Sequence, residues 1–380
     1  MRILLFISAM LLCLMLQGQE YPQSVVVSEP QLKTEGPIPN SHLYIPNGST
    51  PMKYIRVNFH FMLRSQGDPG YPGNFTSTHD GHGNTAYTGY DFVKRYIDMA
   101  NQHLADNRKM TLPPNNGIPN IETRYRYVLD GVYFHEDNRY YCQNNPPPFD
   151  YWRNRNRAIN VFLNCPVGGG TSHATYSQSR FVVTIYKWGR YNDYLADPRI
   201  GDAMWINGLG LNHEIGHNLS LRHTVMTHNG TCSWDWDDYC SDTPTRSEIM
   251  SNFNFDPCCK WATWNATTCS NNLMDYGHAN MALTPQQLGR VHWTLEHEMK
   301  EYQTCFLDQD NLTICALGFP QVLYMARTIV VGGSGCNNQP VILGGRQIAH
   351  LIASQSVTLN AGFGVQLGAE FTIDMVTPCN

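Results

Sequence analysis

The hydrophobic period of the chain changes several times, and the changes mark its elements. Tyr54-Ile-Arg-Val-Asn-Phe-His-Phe-Met-Leu63 alternates apolar and polar positions, as a half-buried strand does. From Asp91 to Asn107 the spacing becomes helical, with Phe92, Tyr96, Ile97, Ala100 and Leu104 on one face. Strands are expected again at 125–134, 158–163 and 180–186, the last placed shortly before another helix. Thr284-Pro285 opens a further helix that should run to about Tyr302, with Thr284 as cap and Pro285 in its first turn. Beyond Phe319 the pattern breaks into short runs of Val, Ile and Thr between glycines, as in Arg327-Thr-Ile-Val-Val-Gly332 and Gly362-Phe-Gly-Val-Gln-Leu-Gly368. The expected fold is therefore an α/β (α+β) domain with a mixed sheet, followed by a small all-β C-terminal module.

The ends of the chain refine this outline. Arg2 precedes an apolar run from Ile3 to Leu16 that is too short to span a membrane and fits an export signal, read here as residues 1–18. Residues 19–50 read as an extended lead-in or short pro-segment, 51–304 as the main domain, 305–318 as a linker and 319–380 as the β-module. The formal charge of −5, with no lysine- or arginine-rich run, argues against nucleic acid as a partner. No later stretch approaches a membrane span. Of the 12 cysteines, all but Cys13 lie beyond the leader, and in an exported protein they read as disulfides. That leaves an odd number, so at least one pairs outside the chain or not at all.

The chemistry concentrates in Leu211-Asn-His-Glu-Ile-Gly-His-Asn-Leu-Ser-Leu-Arg-His-Thr224. His213 and His217 stand four apart, one helical turn on the same face, and can grip one metal ion together. Glu214 follows the first of them and can reach a water on that metal, which is the HExxH arrangement. His223 would lie about 15 Å along a straight helix from His213, out of coordinating range. The helix must therefore end after His217 and the chain fold back. Three imidazoles with an open fourth position make a catalytic zinc site, whereas structural sites are closed and cysteine-rich.

These residues resemble the metzincin zinc peptidases, whose HExxHxxGxxH signature is followed by a methionine turn. Within that group the chain is similar to the pappalysin family. His223-Thr224 is followed by Gly230-Thr-Cys232, Asp238-Tyr-Cys-Ser-Asp-Thr-Pro244, Asn272-Leu-Met-Asp-Tyr276 and Leu283-Thr-Pro-Gln-Gln287. The likeness covers about residues 205–300 clearly and the upstream half in general layout. It implies two sub-domains around a horizontal substrate cleft, with Met274 as a packing support beneath the metal. It also implies Tyr276 beside the zinc, helping to bind the transition state, and a disulfide between Cys232 and Cys269. The implied activity is secreted zinc endopeptidase, acting on extended protein or peptide substrates with Glu214 and Tyr276 as catalytic groups. Ser220 departs from the family's glycine. A serine in the left-handed backbone that this turn needs costs about 1–2 kcal/mol.

Several other sequence features stand beside the zinc site. Asp235, Asp237, Asp238 and Asp242 form an acidic loop cluster that reads either as a calcium site or as solvated acids. His79 and His82 lie in a Gly/Asn/Asp-rich loop and read as solvated. The strand before the metal helix could serve as an edge against which an extended peptide pairs. The β-module carries no catalytic constellation and could engage a surface or ligand. Glycosylation sequons occur at Asn47, Asn74, Asn218, Asn229, Asn265 and Asn311; a glycan on Asn218 would obstruct the zinc site. The competing class is a non-catalytic extracellular binding module that keeps the metzincin fold, against which the retained Glu214 and Tyr276 argue.

Overall fold

A computed structural model of the chain describes residues 36–142, 149–164, 173–174, 182–185, 203–224, 226–228, 231–233, 238–244, 269–275, 281–303, 311–317, 323–345 and 347–375. The leader 1–18, Asp235, Asp237 and Tyr276 lie outside the described residues. The described residues belong to one unit, Thr34–Asn380.

The strands are β1 (Lys53–Leu63), β2 (Tyr125–Glu136), β3 (Ile159–Leu163), β4 (His173–Ala174) and β5 (Val182–Ile185). They form one sheet in the order β2-β1-β3-β5-β4, parallel throughout except for β4. A mixed sheet is thus present as expected, with one correction. The strand before the metal helix, β5, is flanked on both sides, and the edge is the antiparallel β4.

Alternation along β1 sends Ile55, Val57, Phe59, Phe61 and Leu63 into the main core. There they meet Phe92, Tyr96, Ile97 and Ala100 of helix α1 (Gly89–Ala105) and Leu211 and Ile215 of helix α2 (Ala203–Asn218). Helix α1 starts two residues earlier than its spacing suggested. Asp91 is the third residue of a capping box, not the first of the helix: Asp91 N donates to Thr88 Oγ1 and Thr88 N to Asp91 Oδ2.

The opposite face of the sheet holds a polar cluster. His60, fully buried, lies 2.8 Å through Nε2 from Asn160 Oδ1 and 2.9 Å through Nδ1 from His135 Nε2. Asn160 Oδ1 also accepts from Arg153 N, so it is an acceptor and His60 Nε2 carries the proton. Nδ1 of His60 then accepts from His135 Nε2. Rings of Tyr133 and Phe162 stack on His60. Burial, then the neighbouring His135, holds the His60 imidazole well below its ordinary range. Burial, then Arg153, brings His135 down to about 4.

After the third helix, α3 (Pro285–His297), the chain becomes all strand: β8 (Asn311–Ile314), β9 (Leu323–Val331), β10 (Val341–Leu343), β11 (Ile348–Leu359), β12 (Phe363–Val365) and β13 (Glu370–Met375). A hairpin, β6 (Met226–His228) with β7 (Thr231–Ser233), lies earlier, just after the metal motif. The C-terminal strands pair in parallel as β13-β11-β9-β8 and β10-β12. Parallel neighbours need a crossover, and here the chain returns through the second small sheet where an α/β unit would use a helix. Ile329, Val331, Val341, Leu343, Leu351 and Ala353 fill the space between, and Cys315–Cys336 ties β8 to the turn after β9. Strand β8 falls inside the stretch read as linker. Val128 of β2 packs on Leu323, Met325 and Ile352, joining the two halves through a small apolar cluster. No helix among the described residues is long and apolar enough to cross a membrane.

The crossing of α1 and α2 is close because of Gly208. A Cβ there would sit 3.0 Å from Ala100 N and 3.0 Å from Met99 C, both backbone atoms, whereas one on Gly210 would meet nothing within 4 Å. Alanine in a helix is favoured over glycine by about 1 kcal/mol. Gly210→Ala should therefore raise stability by about that amount, while overpacking at Gly208→Ala should outweigh the gain and lower it by ~1 kcal/mol or more. Denaturant unfolding of the two variants checks the opposite signs. In the polar cluster, both rings should remain neutral at pH 5.5 in nitrogen-edited NMR; protonation of His60 near its ordinary value would contradict the assignment.

Candidate metal centre

Helix α2 carries His213, Glu214 and His217 and ends where the third histidine requires. Ser220 N donates to His217 O at 3.0 Å and Leu221 N to Gly216 O at 3.0 Å. This is the Schellman pair of bonds, with Ser220 in the left-handed position at φ 68°. The serine thus adopts the conformation that the glycine of the resemblance would supply. The chain reverses, and His223 comes back over the helix.

The three imidazoles converge. His223 Nε2 lies 3.0 Å from His213 Nε2 and 3.1 Å from His217 Nε2. The edge of a tetrahedron with zinc–nitrogen bonds of about 2.0–2.1 Å is about 3.3–3.4 Å, so the donor set fits that ion closely. Orientation is fixed from behind. His213 Nδ1 donates to Leu273 O at 2.8 Å and His217 Nδ1 to Leu221 O at 2.9 Å, which leaves each Nε2 lone pair facing the shared point. Burial lowers all three rings, in His217 and His223 with help from neighbouring imidazoles, and brings His223 down to about 3. All three are therefore neutral at neutral pH, the state a metal requires. Among the described residues this is the one cluster of His, Cys, Asp or Glu that could hold an ion. Glu214 sits beside His213 on α2, only 7 % exposed.

Met274 lies fully buried under the helix, close to Gly216, where a Cβ would come 2.8 Å from its sulfur. The methionine turn is held by α3. Asn272 Nδ2 donates to Gln287 Oε1 at 2.8 Å, Gln287 Nε2 to Asn272 Oδ1 at 3.0 Å, and Met274 N to Asn272 Oδ1 at 2.9 Å. Gln287 serves at the same time as third residue of the α3 capping box with Thr284. Asn272 and Gln287 were not singled out from the sequence, although both stand inside motifs that were quoted. Asp275, fully buried behind the turn, was also missed. Burial pushes its carboxyl up to about 8, with nearby Asp238 adding to the rise and a bond with Ser270 opposing it.

Of the acidic cluster, Asp238 and Asp242 lie among the described residues. Asp238 accepts from Cys240 N and from the Thr243 hydroxyl, and Asp242 accepts from Thr284 Oγ1 at 2.6 Å and Gln286 N at 2.8 Å. These two carboxylates brace a turn and the start of α3. His79 and Asp80 likewise accept from backbone N–H groups of their own loop. Cys269 is disulfide-bonded; the side chain of its expected partner, Cys232, lies outside the described set. Cys240 carries a buried thiol.

None of the curated protein sequences matches the chain. Among solved structures it is similar to mature mirolysin of Tannerella forsythia in complex with a cleaved peptide, at 16 % identity over 67 % of this chain and 96 % of that one, with a TM-score of 0.41. It is also similar to a promirolysin mutant from Tannerella forsythia, at 15 % identity over 68 % and 86 % of the two chains, with a TM-score of 0.41. Residues 150–296 match the Peptidase_M43 family model, described as pregnancy-associated plasma protein-A. That segment contains the three histidines, Glu214, the methionine turn and the start of α3, so the chain's match to the pappalysin family of metallopeptidases falls on the candidate metal centre.

Proposed function

We propose that the chain is an exported zinc endopeptidase in which His213, His217 and His223 hold the ion. The observation that carries this reading is the convergence of three neutral Nε2 atoms, two of them aimed by backbone carbonyls. Zinc held by neutral imidazoles lowers the pKa of a water in its open position to about 7 and polarises a carbonyl. Glu214 would accept a proton from the attacking water and return it to the leaving amine. Tyr276 would donate a hydrogen bond to the oxyanion as it forms. Met274 would pack beneath the ligands and keep α2 at its distance from the methionine turn. The apolar leader supports export, and the C-terminal strands are read as an accessory that engages a surface or ligand.

The test is cleavage of a denatured protein mixture by the mature chain, with new termini read by mass spectrometry. Glu214→Gln should lower cleavage by ~10²–10⁴-fold while zinc content stays at one per chain, and chelation should abolish cleavage reversibly. Zinc bound without any cleavage would favour the binding-module reading instead.

A further inference from the structure

We propose that Thr294 and Arg290 of α3 are positioning residues for the third histidine, acting on it through Ser220. This rests on the metal-site reading above and adds a helix that supplies none of the three histidines.

Ser220 is the one departure from the metzincin signature, and it stands at φ 68°, where a side chain is strained. A glycine would hold this turn by its own freedom. Serine brings a hydroxyl instead, and the structure gives that hydroxyl a partner: Ser220 Oγ lies 2.8 Å from Thr294 Oγ1. The backbone of the same residue is held as well. Arg290 Nε and Nη2 donate to Ser220 O at 3.0 Å and 2.9 Å. Arg290 is 1 % exposed, and its Nη2 also lies 3.2 Å from Gly36 O. Its guanidinium faces the ring of Tyr239 at 5.7 Å, and that of Arg222, the neighbour of His223, faces the same ring at 5.2 Å.

Side chain and carbonyl of the strained residue are thus both fixed to α3. Residues 220–222 are the last stretch of the covalent route from His217 to His223. Fixing their first member fixes the direction from which the third imidazole returns. Thr294 and Arg290 stand one turn apart on α3, so a single helix face sets both bonds. Ser220 and Thr294 consequently form a pair, with Thr294 Oγ1 itself held 3.0 Å from Arg290 O one turn back on α3.

A double-mutant cycle tests this, read as zinc affinity by chelator competition and as the thermal midpoint of zinc-free protein. Thr294→Val should weaken zinc binding about fivefold, and Thr294→Ser should restore it. In a Ser220→Gly background the same Thr294→Val change should leave affinity within about twofold. Ser220→Ala, which keeps the strain and loses the hydroxyl, should bind zinc more weakly than Ser220→Gly and gives a second arm should Thr294→Val fold poorly. Equal effects of Thr294→Val in both backgrounds would overturn the proposal. So would a lowered thermal midpoint with unchanged zinc affinity, or Ser220→Ala binding zinc like wild type. Wild-type protein that binds no zinc would bring down the metal-site reading and this proposal with it, a result distinct from the others.

Discussion

Two backbone carbonyls decide whether three histidines make a metal site. An imidazole has two nitrogens, and a neutral ring offers a lone pair on only one of them. Leu273 O and Leu221 O each take the Nδ1 proton of one histidine and so assign the lone pair to Nε2. The two carbonyls come from different places. Leu221 belongs to the turn that follows the metal helix, and Leu273 to the methionine turn, 60 residues beyond His213. The site therefore depends on a local reversal and on a distant loop arriving together. Without either, the histidines would still be neighbours, but their lone pairs would not share a focus.

Helix α3 is where those two dependences meet. At its start Gln287 grips the methionine turn through Asn272, and Asp242 holds the first turn through Thr284 and Gln286. One turn further on, Arg290 reaches the reversal. A buried arginine is expensive to desolvate unless its donors find acceptors, and here carbonyl oxygens take two of its nitrogens. The helix serves as a spacer between two loops, bracing the candidate metal site although it contributes no histidine to it.

The sequence displayed the ligands and hid their supports, for a physical reason. Metal ligation demands a residue type at a spacing, so His213, His217 and His223 could be read directly, as could the core faces of β1 and α1. Supporting groups are chosen by geometry. An amide at 272, a glutamine at 287 or a threonine at 294 looks like any surface polar residue until the chain is folded and the partner is seen. Ser220 was legible as an oddity, but not as half of a pair. The start of α1 fell two residues late because apolar spacing reveals the buried face and not the cap, which here is Thr88. The acidic loop shows a similar limit: a carboxylate such as Asp242, which receives two donors from a helix start, has the same letter as one that waits for an ion. The parallel order of the C-terminal strands was out of reach, since glycine turns between short runs do not reveal pairing direction.

The small apolar cluster of Val128, Leu323, Met325 and Ile352 changes how the tail should be regarded. Strand β2 ends the catalytic sheet on its far side from β4, and the outward face of such a strand is a place where stray chains adhere. The C-terminal strands roof part of that face through this cluster. A sheet end covered in this way presents less sticky wall to other chains, and the tail supplies the missing panel.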